Sequence, residues 1–129
     1  MWNILLISGD PDVDRQLLVF REQGGGFYKV DRTDDFAHAV TIAAARQYDA
    51  YIIDGTKQTL AGNSLCSLVR SWDEDGIIVF LSNENEDETN ALNAGADIFL
   101  LKPRDMYKIT LVIDDLLDQE RGALLTAKL

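Results

Sequence analysis

The sequence predicts an α/β protein built on a parallel sheet with helices on both faces. Short apolar segments suited to strands alternate five times with segments of helical spacing. The first of them, Ile4 to Ile7, is continuously apolar and reads as a strand buried on both faces. Four segments end in polar or charged residues: Ser8-Gly9-Asp10, Asp54, Ser82 and Lys102. Right-handed crossovers would gather those ends on one rim, where open α/β sheets place their sites.

Each element has its own justification. After the first strand, Pro11 and the surrounding carboxylates suit a helix start, followed by Val13, Leu17, Leu18 and Phe20. Gly24-Gly25-Gly26 ends that helix. Residues 27–32, "FYKVDR", form a more polar strand suited to a sheet edge. Thr33 or Asp34 can cap the second helix, which carries Phe36, Ala37, Val40, Ile42, Ala43 and Ala44. "AYIID" at 50–54 is the third strand, and the third helix is expected from about Asn63 to Ser71. "IIVFLS" at 77–82 is the fourth strand. A polar helix over 84–94 follows it and is terminated by Gly95. "DIFLLK" at 97–102 is the fifth strand. The last helix runs from about Arg104 to Glu120 with Met106, Ile109, Val112, Ile113, Leu116 and Leu117 at helical spacing.

The 129 residues suit one domain with one core. Residues 1–120 are read as that domain, and 121–129 as a C-terminal extension or the start of a linker. No apolar run reaches the roughly 18 to 20 residues of a membrane span, and no signal peptide is visible, so the expected compartment is the cytoplasm. The net charge of −10 argues against nucleic-acid binding by this domain, since phosphate contacts need clustered Lys and Arg. Cys66 is the single cysteine and reads as a packing residue. His38 is the single histidine, on the second helix away from the rim, and no catalytic triad is evident.

A carboxylate, a hydroxyl and an ammonium on three successive strands form a coherent set. Asp54 can act as a nucleophile, Lys102 can neutralise charge on a transferred group, and Ser82 can hydrogen-bond its oxygen. A structural ion pair is the plainer reading of Asp54 and Lys102 alone, but the three-strand pattern suits phosphoryl transfer to Asp54.

Three motifs then resemble the receiver domains of two-component response regulators over residues 3 to about 118. "YDAYIIDGTKQTLAG" is similar to the phosphoacceptor segment, with Asp54 ending a strand and Gly62 eight positions later. "IIVFLS" carries the switch hydroxyl, Ser82. "NAGADIFLLKP" carries the Gly-Ala-Asp turn, the switch aromatic Phe99 and the Lys102-Pro103 pair. The resemblance implies a flavodoxin-like (βα)5 fold with strand order 2-1-3-4-5, a cis Lys102–Pro103 bond, and signalling rather than enzymatic function. Its partners would be a histidine kinase or a downstream effector, contacted through roughly residues 84–120.

The sequence departs from that family where the first strand ends. Two adjacent acids there hold Mg²⁺ with the phosphoacceptor and the carbonyl two residues beyond it, here Thr56. This chain has Ser8 and Gly9 in their place, with Asp10 one position further on. Mg²⁺ wants octahedral oxygen ligands and usually one or two carboxylates, so its binding is expected to be weak or absent, with Asp10, Asp54 and Thr56 as the candidates. Gln58 replaces a frequent proline, and Asn83 stands where a small residue lets phosphate approach. The expectation is an atypical receiver that acts through protein contacts, with weakened or absent Mg²⁺-dependent phosphorylation. One alternative is an ordinary switch that takes phosphate from a histidine kinase on Asp54. Another, of a different class, is a flavodoxin-like cofactor binder, against which the acidic Asp10-Pro11-Asp12 loop counts.

Overall fold

The computed structural model describes residues 2–22 and 28–116. Gly24-Gly25-Gly26, the end of the last helix beyond 116 and the 121–129 extension lie outside these residues. Five strands, β1 (Trp2–Ile7), β2 (Tyr28–Thr33), β3 (Ala50–Asp54), β4 (Ile77–Ser82) and β5 (Ile98–Leu101), form one sheet in the order β2-β1-β3-β4-β5. All neighbouring pairs are parallel. The helices are α1 (Pro11–Glu22), α2 (Phe36–Ala45), α3 (Thr59–Trp72), α4 (Glu88–Ala94) and α5, whose described part covers 109–116.

Two apolar layers follow from the period-2 alternation of the strands. Ile4, Leu6, Ile52, Val79 and Leu81 face Val13 and Leu17 of α1 and Ile109 and Ile113 of α5. Leu5, Ile7, Ile53, Ile78 and Phe80 face Ala39 and Ala43 of α2, Leu65, Cys66 and Val69 of α3, and Ala91 of α4. Both faces of the central strands are thus covered, which explains why β1, β3 and β4 carry apolar runs instead of alternating ones. The more polar β2 lies at an edge.

Several boundaries differ from expectation. Asp35, not Thr33 or Asp34, caps α2, its side chain accepting from the amides of Ala37 and His38. The third helix begins at Thr59, one turn before Asn63: Gln58, at φ −140° and ψ 48°, stands outside helical backbone, and the Gly62 N–H already donates to its carbonyl. Between Ser82 and α4 a short 3-10 turn covers Asn85–Asp87, and another at Met106–Lys108 precedes α5. Gly95 does end α4, in the left-handed region at φ 119°, where a side chain would be strained. Gly62 has a packing reason: a Cβ there would stand 3.0 Å from the Phe80 ring.

Burial pushes the Cys66 thiol up to about 11, with the charges of Arg70 and Asp97 opposing each other at smaller weight. A fully buried thiol of that kind is inert. His38 is exposed, its Nδ1 3.3 Å from the Thr33 hydroxyl.

Candidate functional site

Register brings the strand ends together. Ile7 lies beside Ile53, Asp54 beside Leu81, and Ser82 beside Leu101. Residues far apart in sequence therefore share the C-terminal rim. An open cleft of about 450 Å³ lies there, lined by Ser8, Gly9, Asp10, Asp54, Thr56 and Lys102 together with Asp34, Phe36, Lys57 and Gln58.

Asp54 is the hub. Its Oδ1 accepts the Thr56 amide at 3.1 Å. Its Oδ2 accepts the Ser8 hydroxyl at 2.7 Å and the Lys102 ammonium at 2.9 Å. The Ser8 oxygen in turn accepts the Asp10 amide at 3.0 Å. Lys102 also donates to Asp10 Oδ2 at 2.7 Å and to the Thr56 hydroxyl at 3.3 Å. The Lys102–Pro103 bond is cis. Hydrogen bonds on both partners offset the cost of burying this charge pair.

Burial pulls the Lys102 ammonium down, but the hydrogen bonds and charges of Asp10 and Asp54 outweigh it and hold the group above its ordinary value. Partial burial pushes the Asp10 carboxyl up, yet the Lys102 hydrogen bond, the Asp12 amide and the charges of Lys102 and Arg15 leave it below the usual carboxylate range. The lysine is therefore a permanent cation at neutral pH and Asp10 a permanent anion.

The donor set does not fit Mg²⁺. A hard divalent ion needs free carboxylate oxygens in an octahedral arrangement. Asp54 Oδ2 and Asp10 Oδ2 share a lysine, and Asp10 Oδ1 accepts the Asp12 amide at 2.9 Å. Ser8 contributes a neutral hydroxyl and Gly9 nothing. Among the described residues no group of three acids, histidines or cysteines is arranged to hold a metal.

Two expected members of the site are turned elsewhere. Ser82 is fully buried, and its hydroxyl donates to Asp87 Oδ2 at 2.6 Å while accepting the Glu84 amide at 3.1 Å. It does not line the cleft, because the 3-10 turn after β4 brings a carboxylate within its reach. Thr59 donates to the same Asp87 oxygen at 3.2 Å. Asn83 is exposed and lines a neighbouring groove with Lys57, Leu60 and Glu84, so its bulk does not stand in the cleft. Phe99 is turned inward and stacked on Phe80, with ring centroids 6.3 Å apart.

Sequence reading missed Asp34, Phe36 and Lys57 on the cleft wall, and Asp87 at Ser82. The available signal for Asp34 was its position just past the second strand, on the same rim.

Comparison with known proteins settles the family. The response regulator receiver domain family matches residues 4–114. This chain belongs to that family. The transcriptional regulatory protein PrrA of Mycobacterium leprae is 31% identical over 129 residues, covering 96% of this chain and 53% of that protein. The chain thus spans about half the length of that curated relative. The Francisella response regulator 1452 receiver domain superposes with a TM-score of 0.76 at 21% identity, covering 93% of this chain and 99% of that one. The receiver domain of the sensor histidine kinase PA1611 from Pseudomonas aeruginosa, solved with a magnesium ion in its active-site cleft, superposes with a TM-score of 0.70 at 26% identity, covering 91% and 98%. The chain is therefore a response regulator receiver domain of two-component signalling, and the cofactor-binder reading finds no support. Among the described residues no helix is long and apolar enough to cross a membrane.

Proposed function

We propose that this receiver is atypical: its pocket is organised around Lys102 in place of a divalent metal, and it signals through protein contacts. The observation that carries this reading is the single ammonium held between Asp54 and Asp10, beside a serine hydroxyl and a glycine. In a pocket with clustered acids a metal relieves carboxylate repulsion; here the lysine already does so.

Asp54 is the proposed phosphoacceptor. Its oxygen would form a bond to phosphorus while the donor's bond to phosphorus breaks, the electron pair leaving on the donor's imidazole or carboxylate. Lys102 would neutralise charge on the transferred group, with Ser82 and Phe99 as the residues that respond. Without the metal that normally offsets the charge of phosphate and carboxylate, this transfer is slow. The Pseudomonas receiver has magnesium in its cleft, whereas here both acids that would approach such an ion are committed to Lys102.

The partner, a histidine kinase or an effector, would dock on α4, β5 and α5, within roughly residues 84–120. Leu92 of α4, Leu111 of α5 and Tyr107 of the 3-10 turn before α5 are exposed there. A domain of charge −10 is an unfavourable surface for nucleic acid, and the cytoplasm, where phosphodonors are made, is its proposed compartment.

The test is the intact mass after incubation with a small acyl phosphate, with and without Mg²⁺, beside Asp54→Asn. Weak or no labelling that is indifferent to Mg²⁺ supports the reading. Rapid labelling that requires Mg²⁺ and is lost in the variant would make this an ordinary switch.

A further inference from the structure

The Lys102 ammonium has three hydrogens to donate, and three acceptors surround it: Asp10, Asp54 and Thr56. A phosphoryl group arriving beside Asp54 needs one of those hydrogens. Asp54 is also held by the Ser8 hydroxyl at 2.7 Å and the Thr56 amide at 3.1 Å, while the Thr56 hydroxyl is a neutral acceptor at 3.3 Å from the ammonium. Asp10 comes from a different strand end, and its side chain is 28% exposed against 5% for that of Asp54. Of the two carboxylates it is the one that can be displaced.

We propose that Asp10 is an internal anion that occupies the phosphate position of the cleft and sets its selectivity against phosphate-bearing ligands. This rests on the reading of the pocket as lysine-centred. The charges lining the cleft are Asp10, Asp34 and Asp54 against Lys57 and Lys102, three negative and two positive. An incoming phosphate meets a net negative wall and must also displace a carboxylate from a 2.7 Å ion pair. Removing the Asp10 charge balances the wall at two and two and frees an ammonium hydrogen. The backbone supports the swap: Asp10 also holds the start of α1 by accepting the Asp12 amide, a role an asparagine oxygen fills equally well.

The experiment compares the wild-type domain, Asp10→Asn and Asp10→Asn combined with Lys102→Ala. Each is titrated with inorganic phosphate at constant ionic strength, and the Thr56 amide resonance is followed. Asp10→Asn is expected to bind phosphate about tenfold more tightly, equivalent to about 1.4 kcal/mol, and the added Lys102→Ala to remove the gain. Equal or weaker phosphate binding by Asp10→Asn overturns the proposal. So does a gain that survives loss of Lys102. A parallel incubation with an acyl phosphate separates the metal role. Faster labelling of Asp10→Asn without Mg²⁺ agrees with an internal anion, whereas labelling that falls only when Mg²⁺ is present makes Asp10 a metal ligand and overturns it. If neither protein is labelled, the reading of the pocket as one with little or no phosphorylation stands, and the phosphate titration alone decides the role of Asp10.

Discussion

The two rims of the sheet each bury an aspartate to the same extent, Asp54 and Asp73 both being 7% exposed. Their surroundings differ in one respect that decides their use. At the N-terminal rim Asp73 accepts the Tyr51 hydroxyl at 3.0 Å, the Gly76 amide at 2.8 Å and the Asp75 amide at 3.1 Å, all neutral donors. The hollow beside it is lined by Asn3, Gln47, Tyr48, Asp49 and Asp75, and among the described residues no cation bonds the Asp73 carboxylate, Arg70 reaching only its backbone carbonyl at 3.4 Å. At the C-terminal rim Asp54 has a comparable hydroxyl and amide but also an ammonium, within a cleft open to solvent. Burial and hydrogen bonding make an aspartate a structural pin. A cation beside it whose other acceptor can be exchanged is what would let the same side chain receive an anionic group.

Asp54→Asn is the sharpest way to break that comparison. Any phosphoryl adduct should disappear completely by intact mass, since an amide does not attack phosphorus, while Asp73→Asn should leave whatever labelling exists in place. An adduct that persists in Asp54→Asn would remove the distinction between the rims.

The next effect is a gain. Acids at both Ser8 and Gly9 should create a saturable Mg²⁺ site, seen as a Mg²⁺-dependent rise in melting temperature absent from the wild type. Ser8 already touches Asp54, so a carboxylate there meets like charge that a metal relieves. Gly9 has room, its added Cβ standing 3.6 Å from the Asp34 Cβ. The expected gain in Mg²⁺ affinity is at least about tenfold, or ~1.4 kcal/mol.

The N-terminal rim should answer in stability alone. Tyr51→Phe removes the donor to Asp73 and the acceptor of the Tyr48 amide, which together should cost about 1–3 kcal/mol in denaturant unfolding. Burial first, then the Asp73 hydrogen bond and charge, push the Tyr51 hydroxyl up to about 12 against the opposing Tyr48 amide; burial and Asp31 do the same for Tyr48. A raised tyrosine value means stability is fully present below about pH 10 and is lost as pH rises from there through about 12, because the unfolded chain ionises first. Tyr51→Phe should flatten part of that alkaline loss, with labelling at Asp54 unchanged.

The sequence carried the strand ends well because a parallel sheet converts chain order into position. Asp54 and Lys102 meet at 2.9 Å although they lie 48 residues apart. It carried side-chain direction poorly. Ser8, read as a weakened metal ligand, is a donor that holds Asp54, and Asp10, read as a possible ligand, is the partner of Lys102. Both outcomes depend on which neighbour a short side chain finds, and strand patterning does not encode that. Ser82 is the plainest case. Its place on the rim was legible, but its partner Asp87 comes from a 3-10 turn inside a run of polar residues that reads only as the start of a helix.

That contact gives the smallest effect, and it bears on the same distinction between a pin and a receptor. Asp87 pins the Ser82 hydroxyl at 2.6 Å and the Thr59 hydroxyl at 3.2 Å, joining β4 to the start of α3. Ser82 is buried and keeps a second bond to the Glu84 amide, so the fold does not depend on Asp87 alone. Asp87→Ala should cost about 1 kcal/mol of stability. It should also release Ser82 to turn toward Asp54, raising the rate of any acyl phosphate labelling a few-fold. A variant that loses stability but labels no faster would place Ser82 with Asp73 and Tyr51, as a group that holds the sheet rather than one that serves the cleft.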